Sequence, residues 1–249
     1  MGTLYGGSAI IMNKAKDVQL KIIPSKIAND FIKKTHYSGK VAVNSNLHFG
    51  AFLNNVLHGV MSFGSPIDKR KVIGLVKDTK WNEMLELNRM AFDDKLPIHS
   101  ESRCLAIAFR MIKKNAPHIK WILSFADGTQ CGDGTIYRAS GFVLTSIKKN
   151  TSIGYSEKTK SIVAKHGVTA KKYGKVIPLK GYQLRYIYFM NPNDKEKLTI
   201  PMIPFSKIKE MGASMYKGKN CHSGVNGSTS SIQDESRGSI PTEWLSNYA

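Results

Sequence analysis

Acidic residues are scarce in this chain of 249 residues: 18 Asp and Glu stand against 37 Lys and Arg, a formal charge of +19. That imbalance calls for a polyanionic partner. Nucleic acid is the first candidate, because every phosphate met by Lys or Arg releases condensed counterions. Long apolar runs are also missing. Nothing approaches the roughly 18 consecutive apolar residues of a spanning helix, and no basic amphipathic helix offers a grip on a membrane surface. Cysteine is rare as well. Cys104, Cys131 and Cys221 are odd in number and far apart, which argues against a disulfide framework or a zinc site and for reduced thiols in a cytosolic compartment. The opening MGTLYGGSAII lacks the positive start of a secretory signal. Met12 begins a more ordinary N-terminus, so residues 1–11 read as a dispensable leader.

What is present is ample apolar material, 41% of residues, enough for the continuous core of one large domain. VQLKIIP alternates and stops at Pro24, as a first strand would. Ser25 is placed to cap a helix with Ile27, Phe31 and Ile32 on one face, ending near His36-Tyr37-Ser38-Gly39. In LHFGAFLNNVLHGVMSFG, Asn54-Asn55 separates two apolar runs, the pattern of a β-hairpin. MLELNRMAFD reads as a strand and DDKLPIHSES as a loop. From about Arg103, CLAIAFRMIKKNA is helical and stops before Pro117. IKWILSFAD is apolar enough for a strand buried on both faces. GTIYRASGF reads as a short helix closed by Gly141, FVLTSI and YQLRYIYFM as strands. There is no internal repeat. This order describes an α/β domain over residues 12–210 with a central mixed, twisted sheet. Its neighbouring strands MLELNRMAF and IKWILSFAD can splay to open a site.

Between Lys148 and Arg185 ten basic residues meet a single acid, Glu157, with Tyr155, Tyr173 and Tyr182 interleaved. A basic insertion over about 148–182 is therefore the expected DNA-facing element, with Lys148, Lys149, Lys171, Lys172, Lys175 and Arg185 as its contacts. Residues 211–249 have the Gly/Ser-rich composition of a mobile tail.

Several residues stand out chemically. Asp127 sits where a buried strand meets a Gly-rich loop, a position at which open sheets bind ligands, although an Asp there also caps turns. Tyr137, ten positions on, faces the same cleft or packs as an aromatic. Arg89 follows Leu85 and Leu87 in a strand expected to be buried, so it needs an anion: a substrate, or Glu86, Asp93, Asp94 or Asp127. His36, next to Tyr37, can titrate or coordinate a metal, or be purely structural. Ser100-Glu101-Ser102-Arg103 opens the long helix, and Ser102 and Arg103 are candidates to cradle a phosphate there, simple capping being the alternative.

The strings THYSGK, ELNRMAFDD, SESR, IKWILSFADG, GTIYRASGF and YQLRYIYF, in this order, resemble the Mom family of phage DNA-modification proteins from about Thr35 to Phe142 and beyond. The resemblance implies a GNAT-like acyltransferase fold. It implies conversion of adenine in double-stranded DNA to its carbamoylmethyl (acetamido) derivative, protecting phage DNA from restriction in the bacterial cytoplasm. By motif position the functional residues correspond to His36, Tyr37, Arg89, Ser102, Asp127 and Tyr137. The SESR loop is not the Gly-rich pyrophosphate loop of ordinary GNAT enzymes. The donor is left open among acetyl-CoA, a glycine-derived donor such as an aminoacyl-tRNA, and chemistry at iron held by His36. Two rival functions are an acyl-CoA-dependent N-acyltransferase acting on a protein or small-molecule amine, active without DNA, and a non-enzymatic DNA-binding module, which leaves adenine unmodified.

Overall fold

The computed structural model describes residues 14–128, 132–150, 153–164, 170–179, 181–213, 215–216 and 219–220. Cys131, Cys221, the expected leader and most of the expected tail lie outside them. The described chain divides into two compact units. One holds the residues up to Ile73 together with Thr79–Lys120, the other Gly74–Asp78 and the residues from Trp121 onward.

In the first unit β1 (Gln19–Ile22), β2 (Ser45–Leu53), β3 (Val56–Gly64) and β4 (Met84–Phe92) pair antiparallel in chain order. Asn54 and Asn55 close the β2–β3 hairpin with φ of 50° and 63°. Both are left-handed, and Asn tolerates this because its short side chain bonds locally. Helix α1 (Ser25–Thr35) covers one sheet face. Its N-cap is Pro24, not Ser25, and no side chain caps it. Ala28 and Ile32 are its buried residues, packed with Ile23, Val60 and Ala91. Ile27, expected on that face, is 47% exposed, because the i to i+4 stripe runs through 28 and 32 instead.

The opposite face receives α3 (Ser100–Asn115), where Phe63 meets Phe49 and Phe109 edge-on at ring-centroid distances of 5.8 and 6.5 Å. This helix starts three residues before the expected Arg103, behind His99 at φ 70°, and ends ahead of Pro117 as read. A one-turn helix, α2 (Lys69–Val72), lies between β3 and β4.

The register of β4 is irregular. Ser62 pairs with Arg89 but Phe63 with Leu87, so Asn88 is the extra residue of a β-bulge. Strict alternation would put Leu85, Leu87 and Arg89 on one face. The bulge instead leaves Leu87 beside Phe63 on the α3 side and turns Arg89, with Ser62, toward the α1 side.

In the second unit β10 (Gly181–Phe189) runs antiparallel between β5 (Trp121–Asp127) and β6 (Val143–Asn150). β5 is buried along most of its length, as its apolar run predicts. Helix α4 (Thr135–Ala139) connects β5 to β6, and Gly141 after it has φ 84°. Before it, Gly134 has φ 74°, and a Cβ there would lie 2.7 Å from the Tyr186 ring, so glycine alone fits. The insertion forms its own sheet, β7 (Ile153–Ser156) between β8 (Ser161–Ala164) and β9 (Val176–Pro178), with α5 (Ala170–Tyr173) between β8 and β9. Helix α6 (Ser206–Glu210) and a small hairpin, β11 (Met215–Tyr216) with β12 (Lys219–Asn220), follow. The class is mixed α/β and the element order is the one read from the sequence. The two strands expected to splay are β4 of one unit and β5 of the other.

Candidate active site

The first unit gathers three of the residues singled out from sequence. His36 lies one turn beyond Ile32, so the stripe that packs α1 on the sheet continues into it. Its Nδ1 accepts the Ser38 backbone N–H at 3.1 Å and lies 2.8 Å from Ser38 Oγ. An acceptor Nδ1 places the proton of the neutral ring on Nε2. Burial, with the Arg89 guanidinium beside it, pushes the imidazole down to about 4, so it is neutral at pH 7. Tyr37 is 53% exposed and tilted against the His36 ring at 4.2 Å.

Arg89 is fixed by backbone carbonyls. Its Nε donates to Lys40 O at 2.9 Å and its Nη1 to Asn88 O at 2.7 Å. None of the acids in its own unit expected as partners forms an ion pair with it. Asp93 is taken by His58 Nδ1 at 2.8 Å, and Glu86 is buried, which raises its pKa, with bonds to Asn88 and to the Ile67 backbone. Carbonyl dipoles hold the guanidinium in place, the Glu86 carboxyl is near enough to feel its charge, and that positive charge stands beside a neutral His36.

Four polar residues near this pair escaped the sequence reading. His48, Ser62, Asn88 and Ser45 sit inside strands whose apolar character dominated. His48 Nδ1 is 2.8 Å from Ser62 Oγ, and Ser45 Oγ donates to Asn88 Oδ1 at 2.9 Å. The available signal was a polar side chain at inward positions of LHFGAFL and VMSFG.

At the start of α3, Ser100 Oγ donates to Pro97 O and Ser102 Oγ to His99 O. Both hydroxyls turn back to carbonyls; neither caps the helix. Arg103 reaches Lys16 O through Nη2 at 3.4 Å, while its buried Nε has no hydrogen-bond partner. Among the described residues no three His, Cys, Asp or Glu side chains gather to hold a metal ion. The iron site expected at His36 therefore has no support, and Nδ1 of that ring is already occupied by Ser38.

In the second unit Asp127 ends β5, half-buried, opposite Gln183. Tyr137 is buried on α4, its ring 5.2 Å from those of both Phe142 and Tyr186. Tyr186 OH donates to Asp133 O. Lys148 and Lys149 are exposed on β6, Lys171 and Lys172 on α5, and Lys175 just beyond it. Arg185 differs from them: it belongs to β10, is half-buried, and donates to Thr145 Oγ1 at 3.1 Å and Thr145 O at 3.3 Å. Cys104 is buried as a free thiol, pushed up to about 12 by burial and by the Glu101 charge, and is inert as a nucleophile. No helix among the described residues is long and apolar enough to cross a membrane.

An α/β frame that aims a carbonyl-held guanidinium and a neutral imidazole at one place is suited to transfer chemistry, and the protein is a transferase. The Mom protein family model matches residues 17–207, and the chain belongs to that family. It is 31% identical over 195 residues to the methylcarbamoylase Mom of Escherichia phage Mu, covering 74% of this chain and 80% of that protein. Solved structures that align with it include a GNAT family acetyltransferase from Elizabethkingia anophelis with acetyl-CoA bound. That alignment has a TM-score of 0.43 and 16% identity, over 70% of this chain and 98% of the other. The ribosomal-protein-S18-alanine N-acetyltransferase of Escherichia coli aligns with a TM-score of 0.43 and 10% identity, over 70% and 94%.

Proposed function

We propose that this protein is a DNA-modifying transferase that converts adenine in double-stranded DNA to its carbamoylmethyl derivative at the exocyclic amine, protecting phage DNA from restriction in the bacterial cytoplasm. The observation that carries the reading is the family match over 17–207, which encloses His36, Tyr37, Arg89, Ser102, Asp127 and Tyr137. The exposed lysines of β6 and α5 supply a grip on the phosphate backbone.

The exocyclic amine is a poor nucleophile and is paired inside a duplex, so the base is flipped out. Unstacking costs a few kcal/mol, offset by backbone contacts and by stacking on an aromatic ring. Tyr37, exposed at the end of α1, is suited to that stacking. The amine nitrogen gains a bond to a methylene carbon and loses a proton, which Asp127 accepts as general base. The donor's leaving group departs with the bonding pair, protonated by Tyr137, while Arg89 stabilises the charge that develops on the donor. A plain acetyl thioester would join nitrogen to a carbonyl carbon instead. The donor is thus one that carries its leaving group on the methylene carbon, such as a glycine-derived group. The unpartnered Nε of Arg103, beside Ser102, fits a phosphate of such a donor.

The test is expression in bacteria followed by digestion of plasmid to nucleosides. A mass increase on deoxyadenosine, with resistance to restriction enzymes whose sites contain adenine, is expected. Unmodified deoxyadenosine rejects the reading, and full modification by a folded Asp127→Ala variant rejects the assigned base. Product made with isotopically labelled glycine or acetate identifies the carbon source.

A further inference from the structure

The sheet face toward α1 changes character along its length. At one end Val60 and Ala91 pack on Ile32. One step on, His48, Ser62 and Arg89 stand opposite one another across β2, β3 and β4, so all three share that face. Asn88, the bulge residue, bonds to Ser45, which pairs with Gly64 on the same side. His48 is 3% exposed, Ser62 1% and Asn88 7%.

One of the two larger side chains is only half satisfied. His48 uses Nδ1 toward Ser62, yet Nε2 is buried without a hydrogen-bond partner. Asn88 uses Oδ1 toward Ser45, and the Glu86 carboxyl lies against its amide. Interiors pair the great majority of such atoms, and each one left over costs about 1–3 kcal/mol. Leucine or phenylalanine at position 48 would avoid the cost. A vacant bonding position on this buried face, beside the Arg89 guanidinium, marks a place kept for a ligand.

The available groups define the chemistry of that ligand. The uncommitted N–H groups of Arg89 are donors. Burial keeps the His48 imidazole neutral by lowering its pKa, and with Ser62 donating to Nδ1 its Nε2 carries a proton too. We propose that His48 and Ser62 form with Arg89 a donor-lined site for the carbonyl oxygen of the group being transferred, His48 binding it and Ser62 fixing the His48 tautomer. This rests on the transferase function proposed above, and neither His48 nor Ser62 takes part in the proton transfers assigned there.

A core role and a binding role predict opposite results for the double variant His48→Leu/Ser62→Ala. Removing a half-satisfied buried polar pair leaves stability unchanged or raises it. Loss of one transition-state donor lowers the rate by roughly 10² to 10³. The expected result is therefore a melting temperature at or above that of the parent, with deoxyadenosine modification per unit of protein at least about a hundredfold lower. Ser62→Ala alone, a milder change that folds even where the double variant does not, is expected to lower modification about tenfold. His48→Gln, which keeps an N–H near the Nε2 position, is expected to recover part of the loss seen with His48→Leu. Parent-level modification by Ser62→Ala and by any folded His48→Leu overturns the site. A parent protein that itself leaves deoxyadenosine unmodified removes the proposed function and this site with it, whereas an active parent with equally active variants removes the site alone.

Discussion

Lowering the pH from 7 to 4 is a direct test of the His36 environment. In the folded protein the imidazole titrates at about 4 rather than 6.5, mainly because it is buried and secondly because Arg89 is near. Unfolded chains therefore take up a proton at His36 between pH 6.5 and 4 while folded chains do not, and stability falls as the pH falls through that window. Each pKa unit corresponds to about 1.4 kcal/mol, so the group contributes up to about 3 kcal/mol, fully present above pH 6.5 and lost by pH 4. Burial raises the Glu86 carboxyl as well, so the variant His36→Asn supplies the reference. Its side-chain oxygen can accept the Ser38 N–H as Nδ1 does, but it cannot be protonated. Urea unfolding at pH 7, 6, 5 and 4 is expected to show the parent losing about 2–3 kcal/mol more than the variant, most of it between pH 6 and 4. Parallel pH profiles, or an NMR titration of the His36 ring with its midpoint near 6.5, would refute the picture of a buried, neutral imidazole bonded to Ser38 beside Arg89.

Three further outcomes can be checked. Arg89→Lys keeps the charge but cannot span the Lys40 and Asn88 carbonyls, and deoxyadenosine modification is expected to fall roughly ten- to a hundredfold with little change in melting temperature. Lys171→Glu with Lys172→Glu should weaken duplex binding and reduce the slope of log affinity against log salt by about 2, measured by fluorescence anisotropy between 50 and 200 mM salt; an unchanged slope would place the phosphate contacts elsewhere. Gly64→Ala would put a Cβ 1.9 Å from the Asn44 carbonyl oxygen. The clash is with backbone, so a loss of about 2 kcal/mol or more in denaturant stability is expected.

Much of the fold was legible because its signals are local. The Asn54-Asn55 turn, the helix ending before Pro117 and the apolar run of β5 each depend on a few neighbouring residues, and each is found where expected. Helix starts were less legible. Pro24 and His99, not the serines beside them, occupy the cap positions, because backbone conformation set by the preceding chain outweighs the hydroxyl preference. His36, Tyr37 and Arg89 were picked out one by one as unusual residues in plain surroundings, but their common setting was not readable. It requires α1 to pack over Ala91 and requires Asn88 to break the alternation of β4. His48 and Ser62 stayed hidden because a polar residue within an apolar strand reads as a surface position until the partner strands are in register. The carbonyl anchoring of Arg89 was equally out of reach, since Lys40 is 49 positions away in the chain.

The extra residue in β4 restricts how this protein can vary. Removing Asn88 would restore regular pairing along the whole strand and leave the guanidinium on its present side, because Leu87 and Arg89 would then be consecutive and point to opposite faces. What would be lost is the amide that Ser45 reaches. The damaging change is the other one: keeping the residue while straightening the strand would carry the charge into the aromatic interior beside Phe63.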